Sequence, residues 1–320
     1  LSRGPKLAEF EQQMSAYIGT RHAVATSSGT TALHIAVRAL GIGAGDYVIT
    51  TPLSFIASSN CLLFERAIPV FVDAEPKTGC IDAAKAEEKI QALKKKGVPL
   101  KAILAVDYFG YLADWDRLRD LARRHHLFLI EDSCEALGTY QQTKTGKRMA
   151  GTFGDVGIFG FYPNKQMTTG EGGMLVTNNK RIFEAARALR NHGANPTGHW
   201  SSYRDLGYNY HISELACALG VAQLSRIEEM LMRRIKVAER YTRLLARSLL
   251  MMPPPAPLSG VRLSPYIYAA RTPAHWSRRE RDLLIKKLAE RGVQCRDYFP
   301  CIHLSPFYRK AFGYKRGDFP

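Results

Sequence analysis

The stretch FGFYPNKQMTTGEGG, residues 159–173, places one lysine, Lys165, between an apolar run and a glycine-rich reversal. An ordinary surface lysine does not need such surroundings. Burial favours the neutral form of an amine, and a neutral amine can attack an aldehyde to form an imine. Taken alone, the stretch is equally compatible with a β-hairpin that carries a lysine in its turn.

On both sides of this stretch, from about residue 6 to residue 292, amphipathic segments alternate with short apolar runs bounded by Gly, Pro, Asp and Thr. This alternation is typical of a parallel sheet with crossover helices. The runs are apolar almost throughout, so we expect helices on both faces of the sheet. The predicted strands are 22–25, 47–50, 69–72, 102–106, 127–130, 156–161 and 174–177. The predicted fold class is α/β.

The length of 320 residues, with 46% hydrophobic residues, predicts two domains. A basic helical stretch at 222–248 leads into four prolines within residues 251–259, where a helix cannot continue. Beyond them we predict a strand at 266–271 and a helix at 277–291. The predicted division is a large domain at 1–235 and a smaller, incomplete α/β domain at 236–320. We expect the natural protein to continue at both ends.

The charge balance is strongly basic, with 45 Lys and Arg against 29 Asp and Glu, a net charge of +16. Such a charge favours polyanionic partners or phosphorylated substrates. Base-stacking aromatics interleaved with the basic residues are missing, so nucleic acid is not predicted as a partner. No apolar run is long enough to span a bilayer. The sequence shows no N-terminal segment with the basic, apolar and small-residue regions of a signal peptide, so we predict a cytoplasmic location. The six cysteines lack metal-ligand spacing, so we predict reduced thiols and no metal site.

A phosphate site is indicated at Ser27, Ser28, Gly29, Thr30 and Thr31, which follow one predicted strand and open a helix at 32–40. Free backbone N–H groups and the positive end of the helix dipole attract a phosphate there. An ordinary helix N-cap would use the same residue types.

Two carboxylates, Glu131 and Asp132, follow the predicted strand 127–130. Open parallel sheets bind ligands at the carboxyl ends of their strands. An aspartate there can hold a protonated pyridine nitrogen, although it could also be a helix cap. Glu135 lies one helical turn beyond Asp132. Asn209, in a polar loop, could reach a phosphate or only stabilise its turn.

Together these segments resemble the DegT/DnrJ/EryC1/StrS family of nucleotide-sugar aminotransferases. The similarity runs from Gly4 to Pro320, and the order of the segments is more specific than any single motif. The matching blocks are SSGTTALH at 27–34, TPLSF at 51–55, EDSCEALG at 131–138, FYPNKQMTTGEGGM at 161–174 and LGYNYHISEL at 206–215. The resemblance implies the aspartate-aminotransferase fold, fold type I of pyridoxal-phosphate (PLP) enzymes.

The resemblance also implies roles for single residues. Lys165 matches the lysine that forms the internal aldimine, a Schiff base with PLP, and Asp132 matches the carboxylate that pairs with the pyridine nitrogen. Gly29 and Thr30, next to Ser28, match the backbone donors to the phosphate. Phe55 matches the aromatic ring that stacks on the cofactor.

The resemblance implies three further residues, one that contacts a neighbouring subunit and two near the substrate. Asn209 matches an asparagine that reaches the phosphate from a neighbouring subunit, which implies a homodimer with shared active sites. His303 matches a histidine on the substrate side, and Tyr298 precedes it in the same segment.

The sequence departs from the family pattern at four positions. Glu135 stands where Gln or His often contacts the O3′ oxygen of the cofactor, and a carboxylate would repel a phenolate unless it is protonated or paired. Gly160 replaces a serine that often binds the phosphate and leaves only a backbone N–H. His211 replaces an arginine and Cys301 replaces a proline.

The implied reaction moves an amino group from an amino acid, L-glutamate, to a keto carbon of a nucleoside-diphosphate sugar, with ping-pong kinetics. The product would be an amino sugar. One alternative is sugar dehydration, but relatives with that activity carry His in place of the lysine. The other alternative is a non-catalytic regulator or DNA-binding protein that uses the basic surface, for which no recognition module is present.

Overall fold

The computed structural model describes residues 4–194 and 202–320. The strands in these ranges are β1 (His22–Thr26), β2 (Tyr47–Thr50), β3 (Ile68–Phe71), β4 (Leu100–Val106), β5 (Phe128–Asp132), β6 (Tyr140–Thr143), β7 (Gly146–Met149), β8 (Val156–Gly160), β9 (Gly173–Thr177) and β10 (Val261–Arg262). The helices are α1 (Pro5–Ile18), α2 (Gly29–Ala39), α3 (Ala57–Phe64), α4 (Ala83–Lys95), α5 (Trp115–His125), α6 (Lys180–Arg190), α7 (Glu214–Leu224), α8 (Ile227–Leu245), α9 (Arg278–Ala289) and α10 (Pro306–Phe312). Two short 3₁₀ turns cover Tyr108–Gly110 and Ile302–Leu304.

Seven strands form the main sheet, in the order β1-β9-β8-β5-β4-β2-β3. Strands β8, β5, β4, β2 and β3 pair in parallel, whereas β9 is antiparallel to both of its neighbours. All seven predicted strands are present, each within two residues of its predicted bounds, which confirms the mostly parallel α/β sheet.

Helices cover both faces of this sheet, as the continuous apolar strands indicate. Within β5, Ile130 packs with residues of α2, α3 and α6, while the preceding Leu129 packs with residues of α4 and α5 on the other face. Successive side chains of a strand point to opposite faces, so both must be apolar in a sheet covered twice. The carboxyl ends of β5 and β8, at Asp132 and Gly160, lead into the site described below.

A second, three-stranded sheet has the order β10-β6-β7, and no strand of it was predicted. The predicted strand at 266–271 is wrong: only Arg271 bridges Met252 in an antiparallel pair. Its backbone is used elsewhere, since the Tyr266 carbonyl accepts a hydrogen bond from the Arg234 side chain.

The predicted helix at 277–291 is present as α9, which Ser277 caps by accepting a hydrogen bond from the Glu280 N–H. The chain is helical throughout α8, so the predicted division at 235/236 falls inside one continuous helix. The two-domain division stays a prediction. In the described ranges, no helix has both the length and the apolar character needed to cross a bilayer.

Candidate active site

Lys165 lies in the loop that follows β8, at the carboxyl edge of the main sheet. A turn holds its backbone, because the Lys165 N–H donates to the carbonyl of Tyr162. Its side chain is only 15% exposed. The amine lies 3.5 Å from a carboxylate oxygen of Glu135 and 4.2 Å from the ring centroid of Tyr266. The Lys165 side chain is therefore largely shielded from solvent and contacts Glu135 and Tyr266.

Glu135 is the direct partner of this amine. Its Oε1 faces Lys165, and its Oε2 accepts a hydrogen bond of 2.9 Å from the Phe109 N–H. Burial raises the pKa of Glu135 above the ordinary value for a glutamate, an effect that the Lys165 charge and the Phe109 N–H oppose. Phe109 has a φ of 55°, which is rare for a bulky residue and costs about 1–3 kcal/mol where it occurs. The structure thus places Glu135 where it can hold a proton next to Lys165.

Asp132 ends β5 and is 4% exposed. One carboxylate oxygen accepts a 2.7 Å hydrogen bond from the Ser58 hydroxyl, and the other accepts a 3.2 Å bond from the Cys134 N–H. Its negative charge contributes to the raised pKa of Glu135, so the two acids lie within electrostatic reach of one another. The Asp132 side chain is fixed from two directions at the sheet edge.

The start of α2 lies beside the end of β8. Ser28 is the N-cap and forms a capping box with Thr31, which uses the Ser28 hydroxyl and its N–H. The N–H groups of Gly29 and Thr30, in the first turn, have no carbonyl partner within the helix. These two groups are available to an anion, whereas the Ser28 side chain acts as a cap.

Glycines allow this close approach. A Cβ on Gly29 would lie 3.1 Å from the Cys134 sulfur and 3.3 Å from the Gly160 Cα, tighter than normal contacts. A Cβ on Gly160 would meet the same sulfur at 3.4 Å, an ordinary contact. Cys134 therefore lies between the helix start and the acidic end of β5, and burial with the nearby Asp132 charge raises the pKa of its thiol.

Aromatic rings surround the lysine. Phe55 is 56% exposed, and its ring centroid lies 6.0 Å from that of Phe299. Tyr298 has its ring 6.1 Å from Phe109 and 6.4 Å from Tyr266. The predicted residues Phe55 and Tyr298 thus belong to one chain of aromatic contacts that reaches Lys165 through Tyr266.

Asn209 is exposed and lies between two anchored tyrosines. The Tyr208 hydroxyl donates to Glu65 over 2.7 Å, and the Tyr210 hydroxyl lies 2.9 Å from the His34 Nδ1. The Tyr210 carbonyl also accepts the Ser27 N–H, directly before the start of α2. The residues on both sides of Asn209 are therefore anchored by hydrogen bonds, and Asn209 itself is exposed next to the start of α2.

The contacts of His303 are with residues other than those around Lys165. It is 2% exposed and packs against the rings of Tyr314 and Phe319, at 6.2 and 4.9 Å. Burial lowers the pKa of His303, and its Nδ1 has no hydrogen-bond partner among the described residues. Its neighbour Ile302 donates its N–H to the Pro52 carbonyl, close to the segment of Phe55. A substrate contact of His303 stays a prediction.

On the opposite face of β5, Glu131 stabilises a loop. Its carboxylate accepts the N–H groups of Gly151, Phe153 and Gly154, the last over 3.0 Å. The Ser133 hydroxyl lies within hydrogen-bond distance of Glu131 (3.0 Å) and of Asp107 (2.8 Å). Burial raises the pKa of both acids, and the Glu131 charge raises that of Asp107 further. Of the two carboxylates that end β5, only Asp132 faces the lysine site.

Tyr266 and Arg234 were not predicted as site residues. Both touch the Lys165 loop, although they lie about 100 and 69 residues further along the chain. No local motif marks either residue, so only the folded chain brings them to the site.

Three kinds of group define the chemistry of this site. Two free N–H groups at a helix start suit a phosphate, a fixed carboxylate suits a protonated ring nitrogen, and a shielded amine suits an aldehyde. The glycines at 29 and 160 leave backbone rather than side chain at the phosphate position. The residues present fit a flat heteroaromatic aldehyde that carries a phosphate.

Comparison with known proteins gives the same family as the sequence motifs. The family model described as DegT/DnrJ/EryC1/StrS aminotransferase family matches residues 1–320. GDP-perosamine synthase of Caulobacter vibrioides is 39% identical over 309 residues, which are 96% of this chain and 80% of that protein. The UDP-4-amino-4,6-dideoxy-N-acetyl-beta-L-altrosamine transaminase of Campylobacter jejuni is 33% identical over 321 residues, 98% of this chain and 81% of that protein.

Solved structures share the fold. DesV of S. venezuelae, in complex with a ketimine intermediate, has a TM-score of 0.89 and 31% identity and covers 100% of this chain and 81% of its own. The fold and the sequence comparison therefore agree.

Proposed function

The chain belongs to the DegT/DnrJ/EryC1/StrS aminotransferase family, and from that premise we propose that it binds PLP at Lys165 and transfers an amino group to a nucleotide sugar. The amino donor is an amino acid, L-glutamate, and the acceptor is a keto carbon of a nucleoside-diphosphate sugar. The observation that supports this most is the shielded Lys165 amine beside Glu135, at the sheet edge that also carries Asp132.

When bound, PLP supplies an aldehyde that takes up the amino group and a ring that withdraws electrons from the reacting carbon. Lys165 would hold the aldehyde carbon and, once released by the donor, would move a proton at the substrate carbon. Asp132 would hold the proton of the ring nitrogen, with Ser58 fixing its orientation. The N–H groups of Gly29 and Thr30 would bind the phosphate.

Glu135 would hold a proton next to Lys165. A carboxylate this close would repel a phenolate oxygen, but its raised pKa and its contact with the lysine both favour a protonated or paired state. The Tyr266 ring, which packs against Tyr298, limits access of water to the amine from its side.

A nucleotide-sugar substrate is supported by the relatives, two of which are named for GDP- and UDP-linked amino sugars. The net charge of +16 favours a diphosphate-bearing substrate over a neutral one. A homodimer is proposed because Asn209 matches the family asparagine that reaches the phosphate from a neighbouring subunit, and because it is exposed beside the start of α2. We also propose that His303 and Tyr298 contact the sugar substrate.

The experiment is a two-stage assay of the purified holoenzyme. Incubation with L-glutamate should yield 2-oxoglutarate in an amount equal to the enzyme, and the protein freed of donor should then aminate one member of a panel of nucleoside-diphosphate keto sugars. Initial rates should give the parallel double-reciprocal lines of ping-pong kinetics. Lys165→Ala is the control and should do neither. Formation of 2-oxoglutarate without amination of any keto sugar would contradict the proposed acceptor.

A further inference from the structure

Arg234, on α8, forms two hydrogen bonds at the back of the lysine loop. Its guanidinium donates to the backbone carbonyl of Lys165 over 2.8 Å and to that of Tyr266 over 3.1 Å. Within residues 4–194 and 202–320, no carboxylate forms an ion pair with it. Burial lowers the pKa of this guanidinium, as expected for a charge satisfied by carbonyls rather than by an acid. The charge of Arg234 is thus used to join two backbone segments.

Tyr266 lies in the second backbone segment that Arg234 binds, and its side chain contacts the lysine. Its ring face lies 4.2 Å from the Lys165 amine, and its hydroxyl accepts a 3.0 Å hydrogen bond from the Asn164 amide. Burial and the Glu135 charge raise the pKa of Tyr266, so the ring is a neutral phenol. A neutral aromatic face attracts an ammonium group electrostatically. The ring can do so only while the two backbone segments stay in register.

We propose that Arg234 is a positioning residue for Lys165. By bridging the two carbonyls it fixes the lysine loop to the segment of Tyr266, and it thereby keeps the amine between the Tyr266 ring and the Glu135 carboxylate. This inference rests on the proposed function, in which Lys165 binds PLP. It assigns a role in the lysine site to α8, which contributes none of the residues predicted from the motifs.

The fork of a guanidinium suits this task. It presents several N–H donors in one rigid plane and can reach two carbonyls at once, whereas the single ammonium of a lysine acts as a point charge on a flexible stem. Unrestrained, a lysine side chain samples many rotamers, and a small misplacement of a reacting group can slow a reaction by about a hundredfold. Loss of the bridge should therefore affect Lys165 more than the rest of the fold.

The test compares Arg234→Met and Arg234→Lys with the matched control Arg233→Met. Arg233 is the neighbouring residue on α8, but its side chain is 75% exposed and pairs with Glu229. Two quantities are measured for each protein. The first is amide hydrogen exchange of the peptide covering residues 161–168 in the apoprotein. The second is the rate at which the apoprotein forms an imine with added PLP, followed by absorbance.

For Arg234→Met we expect exchange in the 161–168 peptide to be about tenfold faster and imine formation about tenfold or more slower. Arg234→Lys should show smaller changes in the same directions, and Arg233→Met should match the wild type. Exchange in peptides of β4 and β5 should not change. Wild-type exchange and imine formation in Arg234→Met would overturn the inference. Should Arg234→Met not fold, wild-type values in Arg234→Lys would overturn it equally.

The outcomes also separate this inference from the proposed function. If the wild-type apoprotein forms no imine with PLP, the proposed function fails. If the wild type forms it and Arg234→Met forms it at the same rate, only the positioning role fails.

Discussion

The carboxylate of Glu135 lies 3.5 Å from the amine of Lys165, and the two side chains are only 5% and 15% exposed. A carboxylate and an amine this close and this shielded interact electrostatically, so a substitution of one changes the surroundings of the other. The site is therefore best examined by perturbing its acids, its helix start and its lysine separately.

Glu135→Gln should remove a pH-dependent part of the stability of the apoprotein. Because burial raises the pKa of Glu135, its contribution is fully present below the ordinary pKa of a glutamate and is lost as the pH rises through the raised value. The free energy of unfolding of the wild type should therefore fall relative to Glu135→Gln over that window, by about 1.4 kcal/mol per unit of pKa difference. Urea unfolding across a pH series measures this, and a constant difference at all pH values would refute it.

Gly160→Ser should tighten PLP binding. A Cβ at this position makes ordinary contacts, at 3.4 Å from the Cys134 sulfur and 3.8 Å from the Gly29 Cα, so a serine fits. Its hydroxyl would add a hydrogen bond to a charged phosphate, worth about 1.5–3 kcal/mol, or roughly tenfold or more in affinity.

Titration of the apoproteins with PLP gives the dissociation constants. Gly160→Ala is the matched control, since it adds the same Cβ without a hydroxyl and should bind as the wild type does. Equal affinities of the Ser and Ala variants would show that no phosphate lies there.

Ser58→Ala should destabilise the protein by about 1–3 kcal/mol and weaken PLP binding. It leaves one buried oxygen of Asp132 without its 2.7 Å donor. Ser54→Ala is the control, because Ser54 contacts the Ser58 hydroxyl at 2.9 Å and not Asp132. Chemical unfolding and PLP titration are compared for both variants. An effect on stability alone, with unchanged PLP affinity, would argue against a role for Asp132 in cofactor binding.

Glu131 and Asp107 are two buried acids on the face of β5 away from Lys165, and replacing each by its amide should change stability to different extents. Glu131→Gln replaces one of the two accepting oxygens by an NH₂ group, which then faces the N–H of Gly151 or those of Phe153 and Gly154. At least one buried donor loses its acceptor, which should cost about 1–3 kcal/mol. Asp107→Asn keeps an oxygen for the Trp115 indole and can donate to Ser133, so it should cost less than about 1 kcal/mol. Urea unfolding at neutral pH distinguishes them, and equal losses would mean that Glu131 is not the loop anchor.

Much of the fold follows from the sequence, for a physical reason. The main strands are covered on both faces and so appear as apolar runs, as with Leu129 and Ile130. Strands β6 and β7, with the sequences YQQT and GKRM, are short, polar and half exposed, and so carry no such signal. Tyr266 follows Pro265 in a strand-like run, but its backbone bonds to a side chain instead of a neighbouring strand.

The residues of the candidate site also fall into a predictable and an unpredictable group. Asp132, Glu135 and Lys165 follow the ends of predictable strands, so the topology alone brings them to one edge of the sheet. Arg234 and Tyr266 come from a helix and an irregular segment far along the chain, and tertiary packing decides where they lie. Sequence patterns therefore predict the candidate residues at the strand ends, and the structure adds Arg234 and Tyr266, which contact Lys165.

In the proposed function, Lys165 is the residue to which PLP is bound. Treatment of the purified holoenzyme with borohydride, followed by peptide mapping with mass spectrometry, tests it directly. We expect the reduced PLP adduct on the peptide that contains Lys165, and its loss in a folded Lys165→Arg variant. An adduct on a different lysine, or full turnover by Lys165→Ala, would contradict the account.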